Sequence, residues 1–270
     1  MPMLKAILFD LDDTLLGNSM EAFMPAYFRA LTRYVAHLIP PEQLISELIR
    51  GTQAMSANDG NGLTNEETFA TVFYPAVGYE RAALEPTFRQ FYAEEFPNLQ
   101  DLTKTRPEAR PLVEFAFERG LQVAIATNPL FPRDPIEQRL EWADVPVTEF
   151  DYALVTCYEN MHATKAHPAY YREILAQLDR QPDECLMVGD HWEWDIAQAA
   201  SAGIPVYWIA EPDASPPSLP PGNTPPSLPP RRGDERGVLV GQGTLANLWD
   251  WIKRRADGRD GSTRGYGTKH

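Results

Sequence analysis

Cysteine is nearly missing. Cys157 and Cys185 are the only two among 270 residues, too few for the disulfide framework of a small secreted domain, and a reducing cytoplasm fits such a chain. Both read as small buried apolar residues in strand-like segments. No apolar run reaches the roughly 20 residues that span a bilayer, so a membrane is not expected as a partner. The opening Met-Pro-Met-Leu-Lys passes straight into a strand-like run, without the apolar region of a cleavable signal peptide. Basic charge is scarce as well. Lys and Arg number 24 against 38 Asp and Glu, a formal net charge of −14, which disfavours a nucleic-acid surface because affinity for polyphosphate comes mainly from Lys and Arg. A small anionic ligand remains possible where a divalent cation and one lysine reverse the local sign.

The chain has a hydrophobic fraction of 43%, enough for a substantial core. Short apolar runs at 4–9, 121–127, 152–156, 185–189 and 204–209 alternate with helix-like patterns near 108–119, 133–143, 168–178 and 192–202. That alternation predicts an α/β fold, a parallel sheet covered on both faces. Gly120 and Gly203 stand where helices should stop. The stretch 17–106 differs, with helix-period segments near 19–37, 41–56, 64–76 and 80–95 and no convincing strand between them. Phe23, Tyr27, Leu31 and Val35 recur four apart on one face, as a packing stripe does. The reading is a catalytic core formed by 1–16 and 107–256, with a helical cap at 17–106 inserted after the first strand. Cap aromatics such as Tyr27, Phe69, Phe73, Tyr74 and Phe91 are expected in the core of that cap. Residues 212–237 carry four Pro-Pro pairs and read as an extended loop insertion. One strand and one helix within 238–254 close the domain, and 257–270 reads as a polar tail.

In an open parallel sheet, ligands bind beyond the carboxyl ends of the strands. Asp10, Asp12 and Thr14 follow the first run, Thr127 and Asn128 the second, Lys165 lies in the loop after the third, and Asp190 then Asp195 follow the fourth. For phosphoryl transfer each has a use. Asp10 can attack phosphorus as a carboxylate nucleophile. Asp12, two residues on, can serve the leaving oxygen as acid and the incoming water as base. Asp10 and Asp190 offer the hard oxygens that Mg²⁺ prefers. Thr14, Thr127, Asn128 and Lys165 can hold or neutralise phosphate oxygens. Asp195 is placed to hold Lys165 or a metal-bound water. Two carboxylates about 4 Å apart repel by roughly 4 kcal/mol at an effective dielectric near 20, so a cation is needed to cluster them.

With these residues in this order, the chain resembles the haloacid dehalogenase superfamily over nearly its whole length. Asp10-Leu11-Asp12-Asp13-Thr14 matches its first motif, Thr127-Asn128 its second, Lys165 with Pro168 and Tyr171 its third, and Gly189-Asp190 through Asp195 its fourth. The resemblance implies a Rossmann-like core with strand order 5-4-1-2-3, a helical cap of the family's first type, and the backbone carbonyl of Asp12 in the Mg²⁺ shell. Because the family's dehalogenases lack an acid at the position of Asp12, its presence points to the phosphatase branch and to a small phosphorylated metabolite as substrate. A phosphomutase that returns phosphate to its product, or an interaction protein that keeps the fold, are the alternatives. Two departures stand out: Ala166 follows Lys165 where the family has proline, and His191 follows Asp190. His191, and with it His162 and His167 beside Lys165, is read either as a contact to phosphate or leaving group or, as the expected role, as a local packing and hydrogen-bonding residue.

Overall fold

Alternating side chains on four short strands divide the interior into two cores. The structure is a computed structural model and describes residues 4–217 and 239–256. In chain order it contains β1 (Ala6–Phe9), β2 (Leu16–Gly17), α1 (Met20–Val35), α2 (Pro41–Ser56), α3 (Asn65–Val77), α4 (Arg81–Glu94) and a 3₁₀ segment at Phe96–Leu102. There follow β3 (Lys104–Thr105), α5 (Ala109–Glu118), β4 (Gln122–Ile125), α6 (Arg133–Trp142), β5 (Leu154–Val155), α7 (Pro168–Leu178) and β6 (Cys185–Gly189). A π-helical turn at Trp192–Ala197, α8 (Gln198–Ser201), β7 (Val206–Ile209), β8 (Leu239–Gly243) and α9 (Leu245–Ala256) complete it. The tail at 257–270 and all of the Pro-rich insertion beyond residue 217 lie outside the described residues.

The central sheet has the order β5-β4-β1-β6-β7-β8, and its pairings are parallel. Counting core strands in chain order, this is the expected 5-4-1-2-3 arrangement with a sixth strand, β8, added beside the fifth. Ile7, Phe9, Val123, Ile125, Leu186 and Val188 point into one core, shared with α5, α6, α9 and the inserted helices. Ala6, Leu8, Ala124, Cys185 and Met187 point into the other, against α7 and α8. This period of two on strands buried from both sides is what a three-layer α/β sandwich requires. Cys157 and Cys185 are both free and buried, and burial pushes each thiol up to about 12, so both act as packing residues. Gly120 and Gly203 have positive φ and stop α5 and α8 as expected. Among the described residues no helix is long and apolar enough to cross a membrane.

The four inserted helices fall within a residue or two of their expected spans, and the buried residues of α1 are Phe23, Tyr27, Leu31 and Val35. Among the described residues no strand lies between these helices, as expected, but two short ones flank them. Leu16–Gly17 and Lys104–Thr105 pair antiparallel where the chain leaves the core and where it returns. Two-residue strands are too short to leave a period in the sequence.

The insertion is pinned to the core at the start of α3. Thr64 and Glu67 form a reciprocal capping box there. The next residue, Asn65, is fully buried. Its Nδ2 donates to the carbonyls of Pro129 (3.3 Å) and Ala163 (3.1 Å), in the loops that follow β4 and precede α7. The amides of Asn65 and Glu66 donate to Met161 O and Tyr158 O, each at 2.8 Å. His167 adds a bond from its Nε2 to Ser56 O at 2.9 Å. Replacing Asn65 with Ala strands two buried carbonyls and is expected to cost about 1–3 kcal/mol. Urea unfolding of the Asn65→Ala variant checks this, and an unchanged midpoint and slope would show that the pin is not needed.

Candidate active site

Every strand that contributes to the site ends at the same edge of the sheet. Asp10 directly follows β1, Thr127 and Asn128 follow β4, Asp190 follows β6, and Lys165 sits in the loop between β5 and α7. The backbone amide of Asp10 donates to Val188 O at 2.9 Å, which ties the first motif to β6. Asp13 then adopts the left-handed conformation, φ 55°, which Asp tolerates better than most residues. The tight turn closes with Leu16 N donating to Leu11 O at 2.9 Å.

The centre is one buried ammonium between two carboxylates. Lys165 Nζ donates to Asp10 Oδ1 at 2.5 Å and to Asp195 Oδ1 at 2.6 Å, and all three side chains are buried. Carboxylate oxygens from Asp10, Asp190 and Asp195 lie within 4.8 Å of one another. Three acids therefore face one base where water is largely excluded. Burial raises Asp10 well above the ordinary carboxylate range, with Asp195 and Asp190 adding to it and Lys165 opposing. Burial and then the Asp195 charge push Asp190 up to about 7. For Lys165 burial acts to lower the pKa, but Asp10 and Asp195 outweigh it and hold the ammonium above its usual value. A hard divalent cation answers this excess of carboxylate oxygen, so the donor set fits Mg²⁺ in kind. Asp195 is the poorest ligand of the three, because its Oδ2 already accepts from the His191 amide at 3.0 Å.

Asp195 reaches Lys165 because the chain after Asp190 winds as a π-helical turn. His191 O accepts from the Ile196 amide, five residues on, at 3.4 Å as well as from the Asp195 amide at 2.8 Å, and the five-residue spacing is that of a π-bulge, a feature frequent at functional sites. Gly189 makes the approach possible, since a β-carbon there would collide with the Asp195 carboxylate. His191 accepts from the Trp194 amide through Nδ1 (3.2 Å) and stacks on the Trp194 ring at 4.2 Å. His162 Nδ1 bonds Glu173 at 2.7 Å, so both histidines have local partners, and His191 also lines the cavity.

The remaining expected residues divide. Thr127 and Asn128 line the cavity above the carboxylates with Asp10, Asp12, Lys165 and Asp190. The Thr127 carbonyl accepts from Tyr170 Oη at 2.7 Å and Thr156 Oγ1 at 2.8 Å, and Asn128 Oδ1 accepts from the Lys165 amide at 3.3 Å. That last bond ties down the lysine loop, which has Ala166 in place of proline. Thr14 departs from expectation. It is fully buried, its hydroxyl donates to Asp190 Oδ1 at 3.4 Å, and it does not line the cavity. It bonds a carboxylate of the site and does not face the cavity where a phosphate would sit.

Asp12 is held in a way the sequence reading did not foresee. Its Oδ1 accepts from Asn18 Nδ2 at 2.7 Å and its Oδ2 from Arg139 Nη1 at 2.5 Å. Arg139 is 1% exposed. The available signal was a charged residue on the apolar face of α6, in phase with the buried Ile136, Leu140 and Trp142. The cavity itself has a volume of about 850 Å³. Three cap aromatics expected in the core, Tyr27, Phe69 and Tyr74, help line it, whereas Phe73 and Phe91 are fully buried away from it.

Comparison with known proteins agrees with this geometry. The chain is 26% identical over 200 residues to pyrophosphatase PpaX of Bacillus cereus, covering 74% of this chain and 80% of the relative. Among solved structures, a 2-haloacid dehalogenase from Pseudomonas syringae superposes with a TM-score of 0.59 at 21% identity, covering 94% of this chain and all of that one. A HAD phosphatase from Thermococcus onnurineus superposes with a TM-score of 0.53 at 19% identity, covering 92% and 98%. The profile of the haloacid dehalogenase-like hydrolases matches residues 4–203, through all four clusters of polar residues at the sheet edge. The chain belongs to the haloacid dehalogenase-like hydrolases.

Proposed function

We propose that the protein is a Mg²⁺-dependent phosphohydrolase that carries the phosphoryl group on Asp10 and acts on a small phosphorylated metabolite. The observation that carries this reading is the Lys165 ammonium bonded to both Asp10 and Asp195 beside Asp190. It is a ready counter-charge for a nucleophile and phosphate that otherwise repel. In the first step a carboxylate oxygen of Asp10 forms a bond to phosphorus as the bond to the leaving oxygen breaks, and Asp12 as general acid gives that oxygen its proton. In the second, water attacks the phosphoryl group on Asp10 while Asp12 as general base takes the proton of the water, so that phosphate leaves and both carboxyl groups return to their starting states. Lys165 offsets charge on the nucleophile throughout, and Asp195, held by Lys165 and the His191 amide, keeps that ammonium in place. Thr127 and Asn128 are the groups on the cavity wall for the other phosphate oxygens. Asp10, Asp190 and the Asp12 carbonyl would hold Mg²⁺, which supplies Lewis-acid stabilisation of charge on the transferring group.

Asp12 supports phosphate over halide as the leaving chemistry, since a departing alkoxide needs a proton and halide does not. The name of the PpaX relative adds phosphoanhydrides to the classes worth testing. Purified protein with Mg²⁺ and a panel of phosphate monoesters and pyrophosphate is expected to release inorganic phosphate. An Asp10→Asn variant is expected to lose on the order of 10³-fold or more in turnover. Undiminished release by that variant would remove Asp10 from the mechanism.

Metal binding should also be linked to protons. Asp190, raised to about 7, keeps a proton in the folded metal-free protein that the unfolded chain releases near its ordinary value of about 3.9. The metal-free protein therefore loses stability as pH rises from about 4 to about 7, and a cation that displaces the proton restores it. The rise in Tm caused by Mg²⁺ is expected to be small near pH 5.5 and to grow through about pH 7.5, as thermal unfolding with and without chelator will measure. A rise that shrinks over the same range would contradict the assignment of Asp190.

A further inference from the structure

Arg139 has more binding capacity than the protein uses. Its Nε donates to Pro135 O at 3.1 Å and its Nη1 to Asp12. The guanidinium carbon lies 4.9 Å from the centre of the Phe131 ring. Its Nη2, by contrast, is buried with no hydrogen-bond partner among the described residues. Leaving such a donor unmatched costs about 1–3 kcal/mol, more for a charged group, so an acceptor is expected where it points. Arg139 lines the cavity, at the wall that also carries Tyr27, Tyr92 and Phe131.

The two tyrosines supply a second donor. Tyr27 Oη and Tyr92 Oη are 2.9 Å apart and share one hydrogen bond. One phenolic proton fills that bond, which leaves the other uncommitted. Burial raises Tyr27 to about 12 and Tyr92 well above its usual value, with Arg139 pulling the other way on both. Both therefore remain neutral O–H groups. An unused N–H edge of a planar guanidinium beside a spare hydroxyl, on an otherwise aromatic wall, matches an anionic oxygen better than any neutral group.

We infer that Arg139, with the Tyr27–Tyr92 hydroxyl pair, forms a subsite for a second anionic group on the substrate, a carboxylate or another phosphate a few atoms from the scissile P–O bond. Arg139 is bonded to Asp12, two residues beyond Asp10, so on the reading of Asp10 as nucleophile the subsite faces the leaving group. The inference rests on that reading and narrows it. The substrate is a doubly anionic phosphate compound, not the phosphate ester of a neutral alcohol.

The test uses two unreactive ligands that differ in one charge. Phosphonoacetate carries a carboxylate where phosphonoacetamide carries a neutral amide of the same shape. With Mg²⁺ and the full-length protein, calorimetry is expected to show phosphonoacetate binding tighter by about tenfold or more, as a charge-assisted bond to a buried guanidinium should give. Arg139→Gln is expected to collapse that ratio, whatever it does to either affinity alone. Tyr27→Phe with Tyr92→Phe, which leaves Arg139 in place, is expected to reduce it. Methylenediphosphonate compared with methylphosphonate shows whether a second phosphate serves as well as a carboxylate. Equal affinities in the wild-type protein, or a ratio unchanged in Arg139→Gln, overturn the subsite and leave the phosphohydrolase reading standing. If neither ligand binds the wild-type protein, both fail. Should Arg139→Gln not fold, the wild-type ratio and the Tyr27→Phe, Tyr92→Phe variant decide.

Discussion

One ammonium shared by two buried carboxylates, with a third within reach, is the constraint around which the site is built. Charges of like sign so close together in a region shielded from water are costly. Lys165 relieves part of that cost through its bonds to Asp10 and Asp195. The surplus acid remains, and burial, with the neighbouring carboxylates adding to it, holds Asp10 and Asp190 above the ordinary carboxylate range. An arrangement that is poor for a metal-free protein becomes a receptor once a cation and a phosphate occupy it, because both then find opposite charge already in position.

The rest of the fold serves to hold those charges still. Parallel strands buried on both faces bring the chain to the same edge four times, and the bond from Asp10 N to Val188 O fixes two of those visits against each other. Gly189 omits a side chain so that Asp195 can approach, and the π-helical turn gives that carboxylate its direction. Above the edge, Asn65 joins the inserted helices to the loops of Pro129 and Ala163. Those loops also carry Asn128 and Lys165, so the inserted helices are tied to the segments that present two of the site residues.

Much of this was legible in the sequence, for reasons that differ by residue. The strands could be read because burial from two sides leaves unbroken apolar runs, and the helices because burial of one face leaves a stripe, as along Phe23, Tyr27, Leu31 and Val35. Asp10, Asp12 and Asp190 stood out because each follows an apolar run that ends abruptly, and Lys165 because it lies in the loop after the third run at the spacing of the family's third motif. What could not be read depends on partners far apart in the chain. The hydroxyl of Thr14 turns to Asp190 across 176 positions, and Arg139 meets Asp12 across 127. The strands Leu16–Gly17 and Lys104–Thr105 are too short to show a period, and the π-helical turn follows from the space left beside Gly189. Whether Tyr27 and Tyr74 face a cavity or a core is decided by which neighbours the insertion lacks, which helical spacing does not record.

The claim on which all of this depends is that Asp10 itself receives the phosphoryl group. Acid quenching of the protein during turnover with Mg²⁺ and a hydrolysed substrate, followed by peptide mass spectrometry, observes that bond directly. The account requires a phosphoryl adduct on the peptide containing Asp10, absent when metal is withheld and labile to hydroxylamine as an acyl phosphate is. Turnover with no adduct on that peptide, or an adduct on a different residue, would contradict it.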